Sequence, residues 1–112
     1  MREKDKACLV ITTCSAVEEA NDLAAEIIER RLAACVQILS VQSHFRWDGV
    51  INRVQEQQLQ IKTTESRYAE LEATILEKHS YDCPEIIRLP IDGGFSGYLD
   101  WIKGESSTER SL

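Results

Sequence analysis

The chain has 112 residues, which suits one domain with a modest core, so residues 1–112 are read as a single unit. Its 13 Lys and Arg against 19 Asp and Glu leave a formal charge of −6, which disfavours a surface that neutralises many phosphates. Nucleic acid is therefore not expected as a partner. After the charged opening MREKDK, the apolar run Ala7 to Ile11 is too short for a secretory h-region or a membrane span, so a cytoplasmic protein with no membrane partner is expected.

Residues 7–13, ACLVITT, are short and β-branched and predict a strand. Leu9 and Ile11 share one face and Cys8 and Val10 the other, so both faces are apolar and the strand should be internal. Ser15-Ala16-Val17-Glu18 then reads as a capping box opening a helix through Ala20, Leu23, Ala24, Ile27 and Ile28, with Arg30 and Arg31 in its last turn.

From Cys35 the period falls to two. Val36 and Ile38 are even-numbered whereas Val41, Ser43, Phe45 and Trp47 are odd, so the inward phase slips near Leu39 and Ser40, where a β-bulge is expected. Asp48-Gly49 signals a hairpin turn, and Val50 to Thr64 returns with Leu59, Ile61 and Thr63 on one face. Arms of about thirteen residues reach about 40 Å, twice an ordinary strand, and so small a domain cannot cover them alone. The aromatic tip, with Phe45 and Trp47, is expected to pack on another subunit.

Glu65 to His79 predicts a second helix, with Thr64 or Ser66 as its cap and a stripe of Tyr68, Leu71, Glu72, Ile75, Leu76 and His79. Glu85 to Ile91 predicts an edge strand, where Pro90 is tolerated without its donor. Ser96 to Lys103 is a short amphipathic helix presenting Tyr98, Leu99, Trp101 and Ile102, and residues 1–6 and 104–112 are read as frayed. The order strand, helix, two long strands, helix, strand gives an α+β, ferredoxin-like βαββαβ sandwich with sheet order 4-1-3-2 and both helices on one face. The other face is left for neighbouring subunits.

Standard chemical devices are absent from the sequence. No glycine-rich phosphate loop occurs, and Cys8, Cys14, Cys35 and Cys83 never form C-x-x-C, so neither a zinc ribbon nor a redox dithiol is spelled locally. The cysteines are expected reduced and mostly as small buried hydrophobes. No nucleophile is paired with a base, so an enzyme is not expected. His44, within a strand, is read as packed or hydrogen-bonded.

Two constellations remain. His79, Tyr81, Asp82, Cys83 and Glu85 place imidazole, carboxylate and thiolate donors within seven residues, a mixture that copper(II) or zinc accepts, with His79 and Cys83 as the candidate ligands. The alternative is a loop in which His79 caps a helix and Cys83 is held extended by Pro84. On the third strand, Glu56, Gln58, Gln60 and Lys62 share a face that is either solvated or covered by a neighbour. If covered, Glu56 and Lys62 need partners in an intersubunit cleft.

The segments L-A-A-C-V-Q-I at 32–38, F-R-W-D-G at 45–49, E-x-x-L-x-I-K-T at 56–63, H-S-Y-D-C-P-E-I-I-R-L-P-I-D-G-G at 79–94 and Y-L-D-W-I at 98–102 together resemble the CutA divalent-cation tolerance family. The resemblance runs from about Ala7 to Trp101 and implies a homotrimer of ferredoxin-like subunits with exchanged long strands and a role in tolerance to copper and other divalent metals. It places a ligand cleft between subunits near Glu56, Lys62, Tyr81 and Glu85, to which Trp47 is added from the hairpin partner of the third strand. In bacterial members credited with copper ligands, these are a Cys ending the first strand and a His pair closing the second helix. Here Thr12 and Lys78-His79 occupy those positions, so only His79 carries over, with Cys14 two residues beyond Thr12 as a substitute of the same strand parity. The family's H-P-Y reads H-S-Y at 79–81. The competing function is a regulatory or interaction module resembling trimeric PII proteins, with a small anion between subunits.

Overall fold

The computed structural model describes residues 5–108. Their elements are β1 (Ala7–Cys14), α1 (Val17–Glu29), β2 (Cys35–Trp47), β3 (Val50–Thr64), α2 (Tyr68–Lys78), β4 (Ile86–Pro90) and α3 (Ser96–Glu105). One antiparallel sheet runs β2-β3-β1-β4, so β1 is internal and β4 an edge, as the order of elements predicts.

Strand alternation sorts the core. Cys8, Val10 and Cys14 of β1, with Leu59 and Ile61 of β3, meet Ala20, Leu23 and Ile27 of α1 and Leu71 and Ile75 of α2. Leu9 and Ile11 point to the opposite face, across from Leu89 and Ile87 of β4. No second layer covers those two β4 side chains, and they stay 41% and 48% exposed.

The β2-β3 ladder is unbroken from Cys35↔Lys62 to Trp47↔Val50, which corrects the expected bulge. The change of phase has a different cause. Val36 and Ile38 pack against the helix-side core, whereas further out Val41, Phe45 and Trp47 lie on the other face of the same straight ribbon. What the ribbon has to cover changes along its length, not its backbone. At the tip, Asp48 (φ 52°) and Gly49 (φ 76°) form a two-residue turn with both residues left-handed, the geometry that matches the twist of a tight hairpin. The hairpin contributes to an elongated molecule of 51 × 25 × 21 Å.

The helix ends differ from expectation in instructive ways. Ala16, not Ser15, is the N-cap of α1, and the Ser15 hydroxyl lies 3.5 Å from Glu19 Oε1 instead of closing a capping box. Arg30 and Arg31 fall past the end of α1. Arg31 adopts a left-handed φ of 58°, and its guanidinium donates to the carbonyls of Gly104 and Ser107, both at 2.9 Å. The segment from 104, read as frayed, therefore begins as the last turn of α3, followed by a fully buried Ser106. At the other end, Asp5 accepts hydrogen bonds from the Ser66 backbone and hydroxyl, and the Lys6 carbonyl accepts the Glu65 N–H. The remaining terminal positions, 1–4 and 109–112, lie outside the described residues.

Before α2, Glu65–Arg67 form a single 3₁₀ turn, so the α-helix starts at Tyr68 and not at Glu65. Leu71, Thr74 and Ile75 are buried, Leu76 is exposed, and His79 leaves α2 with extended backbone.

Candidate metal centre and acidic cleft

β1 ends, α1 begins and α2 ends at the same edge of the domain. That convergence brings Cys14, Glu19 and His79 together: one ligand atom from each lies within 4.8 Å of the other two. Cys14 is buried at the last position of β1, so this strand does continue far enough for it to stand in for a ligand. Its Sγ is 4.0 Å from His79 Nε2. Burial foremost, then the charges of Glu19 and Glu56, push the Cys14 thiol up to about 11. A free thiolate is disfavoured there, so a metal ion would have to displace the proton.

The His79 side chain is completely buried. Nδ1 accepts the Tyr81 N–H at 3.1 Å, so the proton sits on Nε2, which donates to the Thr13 carbonyl at 2.6 Å. Glu19 Oε2 lies 3.8 Å from Nδ1. Glu19 also accepts from the Ser80 N–H (3.0 Å) and hydroxyl (3.1 Å), tying the first turn of α1 to the segment after α2. A serine at position 80 can make both bonds, where a proline would have no N–H to give.

Beyond His79 the chain turns Tyr81 toward β3. Tyr81 Oη donates to Glu56 Oε2 at 2.7 Å, and Glu56 is 6% exposed. Burial and then this hydrogen bond raise the Tyr81 phenol well above the ordinary tyrosine range. Glu85 completes an acidic group with Glu56: burial first, then the charge of Glu56, raise its carboxyl.

The remaining sequence candidates are dispersed within one chain. Lys62, six positions from Glu56 on β3 and so about 20 Å away, does not pair with it. Its Nζ donates to Gln37 Oε1 (2.8 Å) and Tyr98 Oη (3.3 Å), and no carboxylate pairs with it among the described residues. Trp47 sits at the hairpin tip, half exposed. Cys83 is exposed and joins no donor cluster among the described residues. Thr12 is fully buried with its hydroxyl unpartnered among the described residues.

The sequence reading missed Glu19. In sequence it is an acid in the first turn of a helix, where the dipole alone explains it. The usable signal was the C-x-x-x-x-E spacing from Cys14, which bridges a strand end and a helix start at the edge where α2 also ends.

Residues 8–105 match the family model of the CutA1 divalent ion tolerance protein. The chain belongs to the CutA1 family. It is 37% identical over 93 residues to the divalent-cation tolerance protein CutA of Archaeoglobus fulgidus, covering 83% of this chain and 91% of that one. It is 36% identical over 110 residues to the chloroplastic protein CutA of Arabidopsis thaliana, covering 95% of this chain but 60% of that longer relative. The crystal structure of CutA1 from Oryza sativa superposes with a TM-score of 0.89 at 37% identity, covering 93% of this chain and 96% of that one. The CutA1 match bears out the family resemblance and the α+β fold expected from the quoted motifs. No helix among the described residues is long and apolar enough to cross a membrane.

Proposed function

We propose that this CutA1 chain acts as a cytoplasmic homotrimer in divalent-metal tolerance and holds a borderline ion, copper(II) or zinc(II), at Cys14, Glu19 and His79. The observation that carries the reading is the convergence of one thiol, one carboxylate and one fully buried imidazole within 4.8 Å. Nitrogen, sulfur and oxygen donors together suit zinc or copper. Bonds of about 2.0–2.3 Å need ligand atoms about 3.5 Å apart, so a small closure of these side chains would complete the fit. The ion would supply charge and Lewis acidity, and the protein supplies the donors and a buried wall. Isothermal titration of copper(II) and zinc(II) checks this: His79→Ala should lose most of the affinity, and identical isotherms for variant and wild type would remove His79 from the site.

The uncovered sheet face supports the trimer. Leu39, Ile87 and Leu89 are exposed on it, and Phe45, Trp47, Val50 and Val54 extend the apolar surface to the hairpin tip. Neighbouring copies are its natural cover, and they would bring Lys62 or Trp47 of one subunit toward Glu56, Tyr81 and Glu85 of another. One observation favours a second, PII-like reading: among the described residues Lys62 has neutral partners only, which leaves its charge for a small anion. An anion that raises the melting temperature of wild type but not of Lys62→Ala would support it.

A further inference from the structure

Both ring nitrogens of His79 are in use. Nε2–H donates to the Thr13 carbonyl and Nδ1 accepts the Tyr81 N–H, so the ring's one lone pair available to a metal is on Nδ1. Metal-binding imidazoles ordinarily give their other N–H to a carbonyl or carboxylate, and Nε2–H already does so with Thr13. Glu19 Oε2 lies 3.8 Å from Nδ1. Cys14 Sγ is nearer Nε2, but ligation there would cost both the Nε2 proton and the Thr13 bond. Ligation at Nδ1 costs only the Tyr81 N–H.

That N–H belongs to a residue whose other end holds the acidic cleft. The Tyr81 ring lies 4.9 Å from the His79 ring, and Tyr81 Oη bonds Glu56, which is almost fully buried. Moving the Tyr81 peptide off Nδ1 pulls on the Oη bond and leaves Glu56 a buried carboxylate short of a donor, beside Glu85. Such a carboxylate is costly unless a cation replaces the phenol.

We propose that Tyr81 links the two sites: an ion on His79 Nδ1 and the paired Tyr81 N–H and Oη bonds exclude each other, so metal capture at Cys14, Glu19 and His79 opens Glu56 and Glu85 to a cationic group. This rests on the metal reading above and adds its coupling to the cleft. By linkage the effect is reciprocal, and a cation that takes Glu56 from Tyr81 strengthens metal capture by the same factor.

Zinc(II), which is diamagnetic, is the probe. In a titration of ¹⁵N-labelled protein, the His79 Nδ1 resonance should move as metal is added, Nε2 should stay protonated, and the Tyr81 amide should shift with the same stoichiometry. Tyr81→Phe keeps the peptide N–H and deletes the anchor on Glu56, so by calorimetry it should bind zinc about tenfold tighter, the effect of one lost hydrogen bond to a charged group. Glu56→Gln keeps an acceptor without the charge, should give a smaller gain of the same sign, and carries the comparison if Tyr81→Phe does not fold. A zinc shift at Nε2 with the Tyr81 amide unmoved overturns the linkage while leaving the metal centre standing. So does unchanged or weaker binding in both variants. Zinc that moves neither His79 nitrogen removes the metal centre and the linkage together.

Discussion

Aliphatic side chains sit on both faces of this sheet and live in different circumstances. On the helix side Val10, Leu59 and Ile61 are fully buried, while on the other side Ile87 and Leu89, paired across from Ile11 and Leu9, remain more than 40% exposed. Side-chain chemistry does not explain the contrast among these five residues, since all are aliphatic. Coverage does: two amphipathic helices close the first face, and nothing within the described residues closes the β4 part of the second. The lesson is that stability on one face is a property of the chain, whereas on the other it should depend on how many chains are present.

The sharpest way to separate the faces is a truncation on the covered side. Ile61→Ala should cost about 2–5 kcal/mol, because a buried Ile leaves a cavity as well as losing transfer energy. Its fall in melting temperature should appear at every protein concentration. Next in size is a charge on the uncovered side. Ile87→Glu should reduce the proposed homotrimer to single chains by light scattering and remove the dependence of the melting temperature on concentration; an unchanged mass would mean that this face is not an interface. The smallest effect lies in the acidic cleft. Glu85 titrates higher when folded, through burial and then Glu56. The folded state therefore holds that proton more tightly, and the stability it contributes is present below the unfolded value and lost as pH rises through the folded one. Glu85→Gln should thus melt slightly higher than wild type at neutral pH, by no more than about 3 °C, with the difference vanishing in acid. A difference that grows toward acid would reverse the sign of this assignment.

Much of the fold was legible because periodicity reports faces directly. The alternation of Cys8 to Ile11, the long β-period through Leu59 and Ile61 and the Asp48-Gly49 turn led to the correct strand order. Errors arose where one local pattern has two physical causes. A phase slip at Leu39 and Ser40 reads as a bulge, yet a straight strand that changes the side it must cover leaves the same trace. Ser15 looked like a cap, but its hydroxyl approaches Glu19 instead. Of the candidate site, His79, Tyr81, Glu56 and Glu85 can be picked out in the sequence, while Cys83 stands outside the donor cluster of the described residues and Glu19 stands within it. Those last two depend on which loop ends meet at one edge of the sheet, and a linear reading does not carry that distance.

The unbroken β2-β3 ladder makes the hairpin a ruler with fixed graduations. Deleting a single residue from either arm would turn every side chain beyond the deletion to the opposite face, so Trp47 and Arg46 would exchange sides. The ribbon can change length without scrambling its faces only by two residues in each arm at a time, which draws the tip back by about 7 Å per step. Lineages of this fold should therefore vary their reach in jumps of that size, with odd-length insertions confined to the turn.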